Sequence, residues 1–160
     1  MFKINKELSY IDKITLMNHI KNLAKKDLQI EADNTPYMLD FLMDFWTAGC
    51  TTNAILEDGK EILMYVKIKE TLEIHQFIDT ILHETKHVEQ FINQPLYYRI
   101  ARKIKRFLEK HNLYNGCAYS LAMHEIAARR YARKTMRKYR AEITDMINRC
   151  CDGTLDELLY

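Results

Sequence analysis

Residues 80–91 read TILHETKHVEQF, and their chemistry turns on His83 and His87, four residues apart with Glu84 between them. On a helix, residues i and i+4 lie about 40° apart around the axis and roughly 6 Å apart in space. Two imidazole nitrogens so placed can reach one Zn²⁺ at about 2.0–2.1 Å. Glu84 then stands beside the ion, where a carboxylate can take a proton from zinc-activated water and pass it to a leaving amine. In a chain with 6 His among 160 residues, the pattern arises by accident roughly 0.02 times. Without a metal, the same residues are a solvated helix face carrying a pH-sensitive histidine pair. A third ligand decides between these.

The candidate for it is Glu125. Leu121, Ala128, Ala132, Thr135 and Tyr139 share one stripe of a later helix, and Glu125 falls on that inward stripe. A buried carboxylate left alone costs several kcal/mol or stays protonated, so it needs a metal or one of the nearby arginines as partner. His124 sits about 100° around the helix at the far edge of the stripe, on the surface or just outside a ligand shell.

HETKH preceded by a strand and followed by EIAARRYA (125–132) resembles the zincin-like metallopeptidases, whose third ligand is the Glu of a downstream Glu-x-x-Ala helix. Small intracellular members of the ImmA/IrrE type have a Glu-x-x-Ala-x-x-aromatic-Ala segment, matched here by Glu125, Ala128, Tyr131 and Ala132. Gln90, three residues after His87, resembles the His-Glu-x-x-His-x-x-Gln variant. The resemblance implies a single zincin-like domain over 1–160 with its metal-site core at about 51–140. It also implies Zn²⁺ held by His83, His87 and Glu125, Glu84 as general base, and a strand at 61–69 whose edge could pair with an extended peptide. Arg129 stands where thermolysin-like enzymes carry an Asp, so another acceptor must orient a histidine. Tyr119 and Tyr131 are candidates for holding the oxyanion, although tyrosines at helical spacing more often serve the core.

The elements that must position these residues follow from periodicity. Ile11, Ile14, Met17, Ile20 and Leu23 predict a helix over 6–25, and the alternation in DLQIEAD predicts a strand over 27–33. Residues 37–46 suit either a helix or a buried strand. Asp58-Gly59 between two apolar runs marks a hairpin, with Ile62, Met64, Val66 and Ile68 alternating behind it. From Leu72 the period becomes helical, with Ile74, Phe77, Ile78, Ile81, Thr85, Val88 and Ile92 in one stripe and the two histidines on the opposite face. Pro95 opens a further helix, to about residue 111, with Ile100, Ile104, Phe107 and Leu108 inward. The Glu125 helix runs from about Tyr119 to at least Tyr139 and can continue through Ile143 and Ile147 to Gly153, before Thr154-x-x-Glu157 caps a last turn. The fold class expected is α+β: a small antiparallel or mixed sheet, an active-site helix and a helical C-terminal half.

Hydrophobic residues at 48% with only 4 Gly and 2 Pro suit one domain with a real core and little linker. A metal here is therefore expected to serve chemistry more than folding. The opening MFKINKELSY has no signal-peptide stretch and no window approaches a membrane span, so the expectation is a cytoplasmic protein with no membrane partner. Cys50, Cys117, Cys150 and Cys151 lack Cys-x-x-Cys spacing and read as reduced thiols.

The net charge of +2 is balanced but unevenly placed, with basic residues crowding Arg99–Arg106 and Arg129–Arg140. Such runs are ordinarily solvated faces, but they can also contact nucleic acid or an acidic partner. Two functions are therefore expected: a zinc-dependent peptidase acting on a protein or peptide substrate, or a non-catalytic, zinc-binding or metal-free module that docks through its basic helices.

Overall fold

Ser9 and Asp12 set where the chain first becomes helical. In a computed structural model describing residues 8–30, 35–40, 48–55, 62–111 and 123–155, the Ser9 hydroxyl accepts from the Asp12 N–H while the Asp12 carboxylate accepts from the Ser9 N–H. This reciprocal cap starts α1 at Tyr10. The helix runs Tyr10–Leu28 and closes at Gln29, which adopts the left-handed conformation with φ 55°. The expected strand over 27–33 is thus overturned at its start, because Asp27 and Leu28 form the last turn of the helix. Asp27 is held there by Lys138 and Tyr139, long-range partners that local alternation cannot announce. Residues 31–33 lie outside the described ones.

Strand β1 (Tyr37–Asp40) resolves the ambiguity of its segment as extended, with 41–46 outside the described residues. Strands β2 (Gly49–Ile55) and β3 (Ile62–Lys69) pair antiparallel, Ile55 opposite Ile62 and Thr51 opposite Val66, as the hairpin signal predicts. The turn at Asp58-Gly59 itself lies outside the described residues. β1 pairs parallel with β3, so the sheet is mixed, in the order β1-β3-β2. β3 is consequently the central strand, and the expected open edge along 61–69 is not there. Both of its sides are used, and among the described residues β1 and β2 take the two edges.

Helix α2 (Ile74–Asn93) runs through the middle of the molecule. Its expected stripe is confirmed at Phe77, Ile78, Ile81, Thr85 and Val88, which pack with Val66 and Ile68 of β3 and Leu16, Met17 and Ile20 of α1; Ile92, at the far end, is exposed. Its opposite face is covered by α4 (Met123–Lys138), which explains why polar His87 and Gln90 are buried too. Gln90 meets His124 at one end of this contact, and Thr80 shares a cleft with Arg133 at the other, so α4 runs antiparallel to α2.

Helix α3 (Pro95–Lys110) departs from expectation. Ile100, Ile104 and Phe107 are not inward but about half exposed, because α3 meets α2 and α4 over only part of its length. A periodic stripe shows that a helix has an apolar face, not that a partner covers it. The last long helix breaks at Tyr139 (φ −105°, ψ 23°), and α5 (Arg140–Cys151) turns Ile143, Ile147 and Cys150 into the core shared with α1. Gly153, at φ 68°, ends it in the conformation glycine adopts without strain. The fold is α+β, with five helices and one three-stranded mixed sheet among the described residues. Among these residues no helix is long and apolar enough to cross a membrane.

Candidate metal centre

His83 and His87 stand on successive turns of α2, with Nε2 atoms 3.0 Å apart and rings edge to face at a centroid distance of 4.7 Å. Glu125 approaches from the first described turn of α4, its Oε2 3.2 Å from His83 Nε2 and its Oε1 3.5 Å from His87 Nε2. One donor atom from each residue lies within 4.8 Å of the other two. His87 and Glu125 are buried and His83 is partly exposed, which leaves the cluster a side toward solvent.

The donor chemistry fits a cation. Gln90 Nε2 donates to the His124 carbonyl at 3.1 Å, which turns Gln90 Oε1 toward His87 Nδ1 at 2.9 Å. An amide oxygen can only accept, so His87 carries a proton on Nδ1, and in the neutral ring the Nε2 lone pair faces His83 and Glu125. Two imidazole nitrogens 3.0 Å apart beside a carboxylate require a shared proton or a positive ion. Burial alone would lower the His87 pKa, but the hydrogen bond with Glu125 and the charges of Glu84 and Glu125 outweigh it and hold it above the ordinary histidine value. The pocket attracts positive charge. Two nitrogens and one carboxylate oxygen are a donor set that a metal ion can use. Cys50 offers no thiolate here, since burial and then the charge of Glu84 push its thiol pKa up.

Glu84 is fixed from the sheet side. Its Oε2 accepts from the Thr51 hydroxyl at 2.7 Å, tying the carboxylate of α2 to β2. This reach depends on Gly49, two residues earlier and therefore on the same face of the strand. A Cβ at Gly49 would lie 2.4 Å from Thr80 Cγ2 and 3.2 Å from Glu84 Cγ, so only glycine lets β2 lie this close to the helix. Gly49 and Thr51 escaped sequence reasoning, for nothing in AGCTTN marks which strand residues face a helix more than thirty positions later.

The other expected site residues separate. Gln90 is the acceptor that orients a histidine in place of the missing Asp. His124 is buried rather than on the surface, with Nε2 3.5 Å from Glu125 Oε1 and its ring 5.6 Å from that of His87. The Tyr131 hydroxyl donates to the Ala24 carbonyl of α1 at 3.3 Å, so it serves the packing of α4 on α1 and not the metal cluster. Burial and the surrounding acceptors also push its pKa far up. Tyr119 lies outside the described residues.

Arg130, Arg133, Lys134 and Arg137 recur at helical spacing and share one exposed face of α4, on which Arg133 and Arg137 line a cleft beside α2, while Lys138 pairs with Asp27 of α1. On α3, Arg99 and Lys103 are exposed. No family model, curated protein or solved structure matches this chain.

Proposed function

We propose that the protein is a zinc-dependent peptidase of the zincin-like kind, with His83, His87 and Glu125 as metal ligands and Glu84 as general base. The observation that carries this reading is the convergence of three donor atoms from two packed helices within 4.8 Å of one another. Zinc bound there supplies Lewis acidity, polarising a carbonyl and acidifying water. Glu84, held by Thr51 at 2.7 Å, takes the proton of the attacking water and delivers it to the leaving nitrogen. Gln90 keeps His87 in the tautomer that can ligate.

The sheet supports a peptide substrate. Among the described residues β2 has a strand neighbour on one side only, and that strand carries Thr51 against Glu84. An extended peptide can add along such an edge through main-chain hydrogen bonds, passing beside the general base. The competing reading, a module docking on nucleic acid, rests on the exposed basic face of α4 alone, and Lys138 at its end is engaged by Asp27.

The experiment is metal analysis with peptide hydrolysis. Purified protein is expected to bind about one zinc per chain. Glu125→Ala should lose the metal, His124→Ala should keep it, and Glu84→Gln should keep it while hydrolysis disappears. Absence of zinc after reconstitution sinks the proposal, as does hydrolysis by Glu84→Gln at the wild-type rate.

A further inference from the structure

A cleft of about 920 Å³ opens along the N-terminal half of α2. Asp79 and Thr80 line it and stand one helical turn before His83 and Glu84. Arg133 and Arg137 of α4 line it as well, four residues apart and therefore on one face of their helix. Lys69, from the end of β3, adds a third cation, and Asp79 is the one acid among the described lining residues. Leu72 and Met136 give the same cleft an apolar component.

We propose that this cleft binds acidic side chains of the substrate polypeptide, so that the enzyme selects peptides carrying glutamate or aspartate at a distance from the cleaved bond. The inference rests on the peptidase reading for the position of that bond. Guanidinium groups pair with carboxylates through two parallel hydrogen bonds, which suits Arg133 and Arg137 to such recognition. Arg133 and Arg137 follow Glu125 by two and three turns of α4, about 12 and 18 Å along the axis. An extended peptide covers that span in about four to five residues, so the acidic positions lie about that far from the scissile bond.

A nucleic acid is the less suitable occupant. A strand of evenly spaced phosphates calls for a row of accessible cations, whereas the cleft takes in only Arg133 and Arg137 of the α4 basic run, and Lys138 is engaged by Asp27. The apolar residues and Asp79 within it suit a polypeptide, whose charges are intermittent.

The test separates binding from cleavage. Zinc-loaded Glu84→Gln is titrated with a fluorescein-labelled glutamate-rich peptide, its glutamine counterpart and a labelled single-stranded oligonucleotide. The glutamate peptide should bind at least about tenfold more tightly than the glutamine one, and added salt should narrow the gap. Adding Arg133→Gln and Arg137→Gln should remove that preference, while Lys134→Gln should retain it. Arg137→Glu provides a second variant, in which preference should pass to a lysine-rich peptide.

Equal binding of the two peptides overturns the proposal, as does a preference that survives the double arginine change. Arginine-dependent binding of the oligonucleotide in place of the peptide overturns it equally. Wild-type cleavage measured in parallel keeps the two ideas apart. Hydrolysis indifferent to glutamate leaves the peptidase standing and removes the acidic cleft; arginine-dependent binding with no hydrolysis does the reverse.

Discussion

Gln90 joins α2 to α4 through one carboxamide: its oxygen faces His87 Nδ1 at 2.9 Å and its nitrogen donates to the His124 carbonyl at 3.1 Å. The second bond fixes the orientation of the amide and the first then fixes the tautomer of His87. A side chain that touches no metal in the proposed centre therefore determines which ring nitrogen is available to one.

Gln90→Ala is accordingly expected to weaken zinc affinity by about 10–100-fold, the usual effect of losing the partner that orients a ligand. Competition against a chromophoric chelator measures it. Gln90→Glu retains an acceptor for His87 but loses the donor to His124, so it should fall between wild type and Gln90→Ala. Unchanged affinity in both variants means that His87 needs no help from Gln90.

Gly49 and Thr51 predict a separable pair of effects. A methyl at Gly49 meets Thr80 Cγ2 at 2.4 Å and cannot be accommodated unless β2 or α2 shifts. Gly49→Ala should cost about 1–3 kcal/mol of stability in urea denaturation and reduce hydrolysis as well. Thr51→Val conserves shape and leaves Glu84 without its 2.7 Å donor. It should cost about 1 kcal/mol and lower kcat with zinc content unchanged.

The α1 stripe from Ile14 to Leu23 (though not Ile11, which is exposed), the β2–β3 hairpin and the buried side of α2 were legible in the sequence because each follows from local periodicity or a turn signal. The cluster of His83, His87 and Glu125 was legible for a related reason. Two of its members stand on successive turns of one helix face, and the third is a carboxylate on an otherwise apolar stripe. What stayed hidden depends on contacts between distant segments: the end of α1 set by Asp27 and Tyr139, the central place of β3, and the position of Thr51 against Glu84. α3 shows the converse limit, since its apolar face is plain in the sequence while its exposure depends on how little of the helix its neighbours reach.

The last prediction concerns Asp27, which closes α1 against the junction of α4 and α5. Burial alone would raise its pKa, but hydrogen bonds from Lys138 and Tyr139 outweigh that and hold it below the ordinary carboxylate value. A carboxyl with a lowered folded-state pKa binds protons more readily when unfolded. Its stabilisation is therefore fully present above the unfolded value of about 3.9 and is lost as pH falls through the folded one. The Tyr139 hydroxyl, 2.7 Å from Asp27 Oδ1, is the more sheltered partner, and Tyr139→Phe should cost about 1–2 kcal/mol at neutral pH. Asp27→Asn should lower stability at pH 7 and flatten its decline between about pH 4 and pH 2. Denaturant melts of wild type and both variants across that range measure this. If the wild-type and Asp27→Asn curves run parallel down to pH 2, the carboxylate of Asp27 is not what ties the end of α1 to Tyr139.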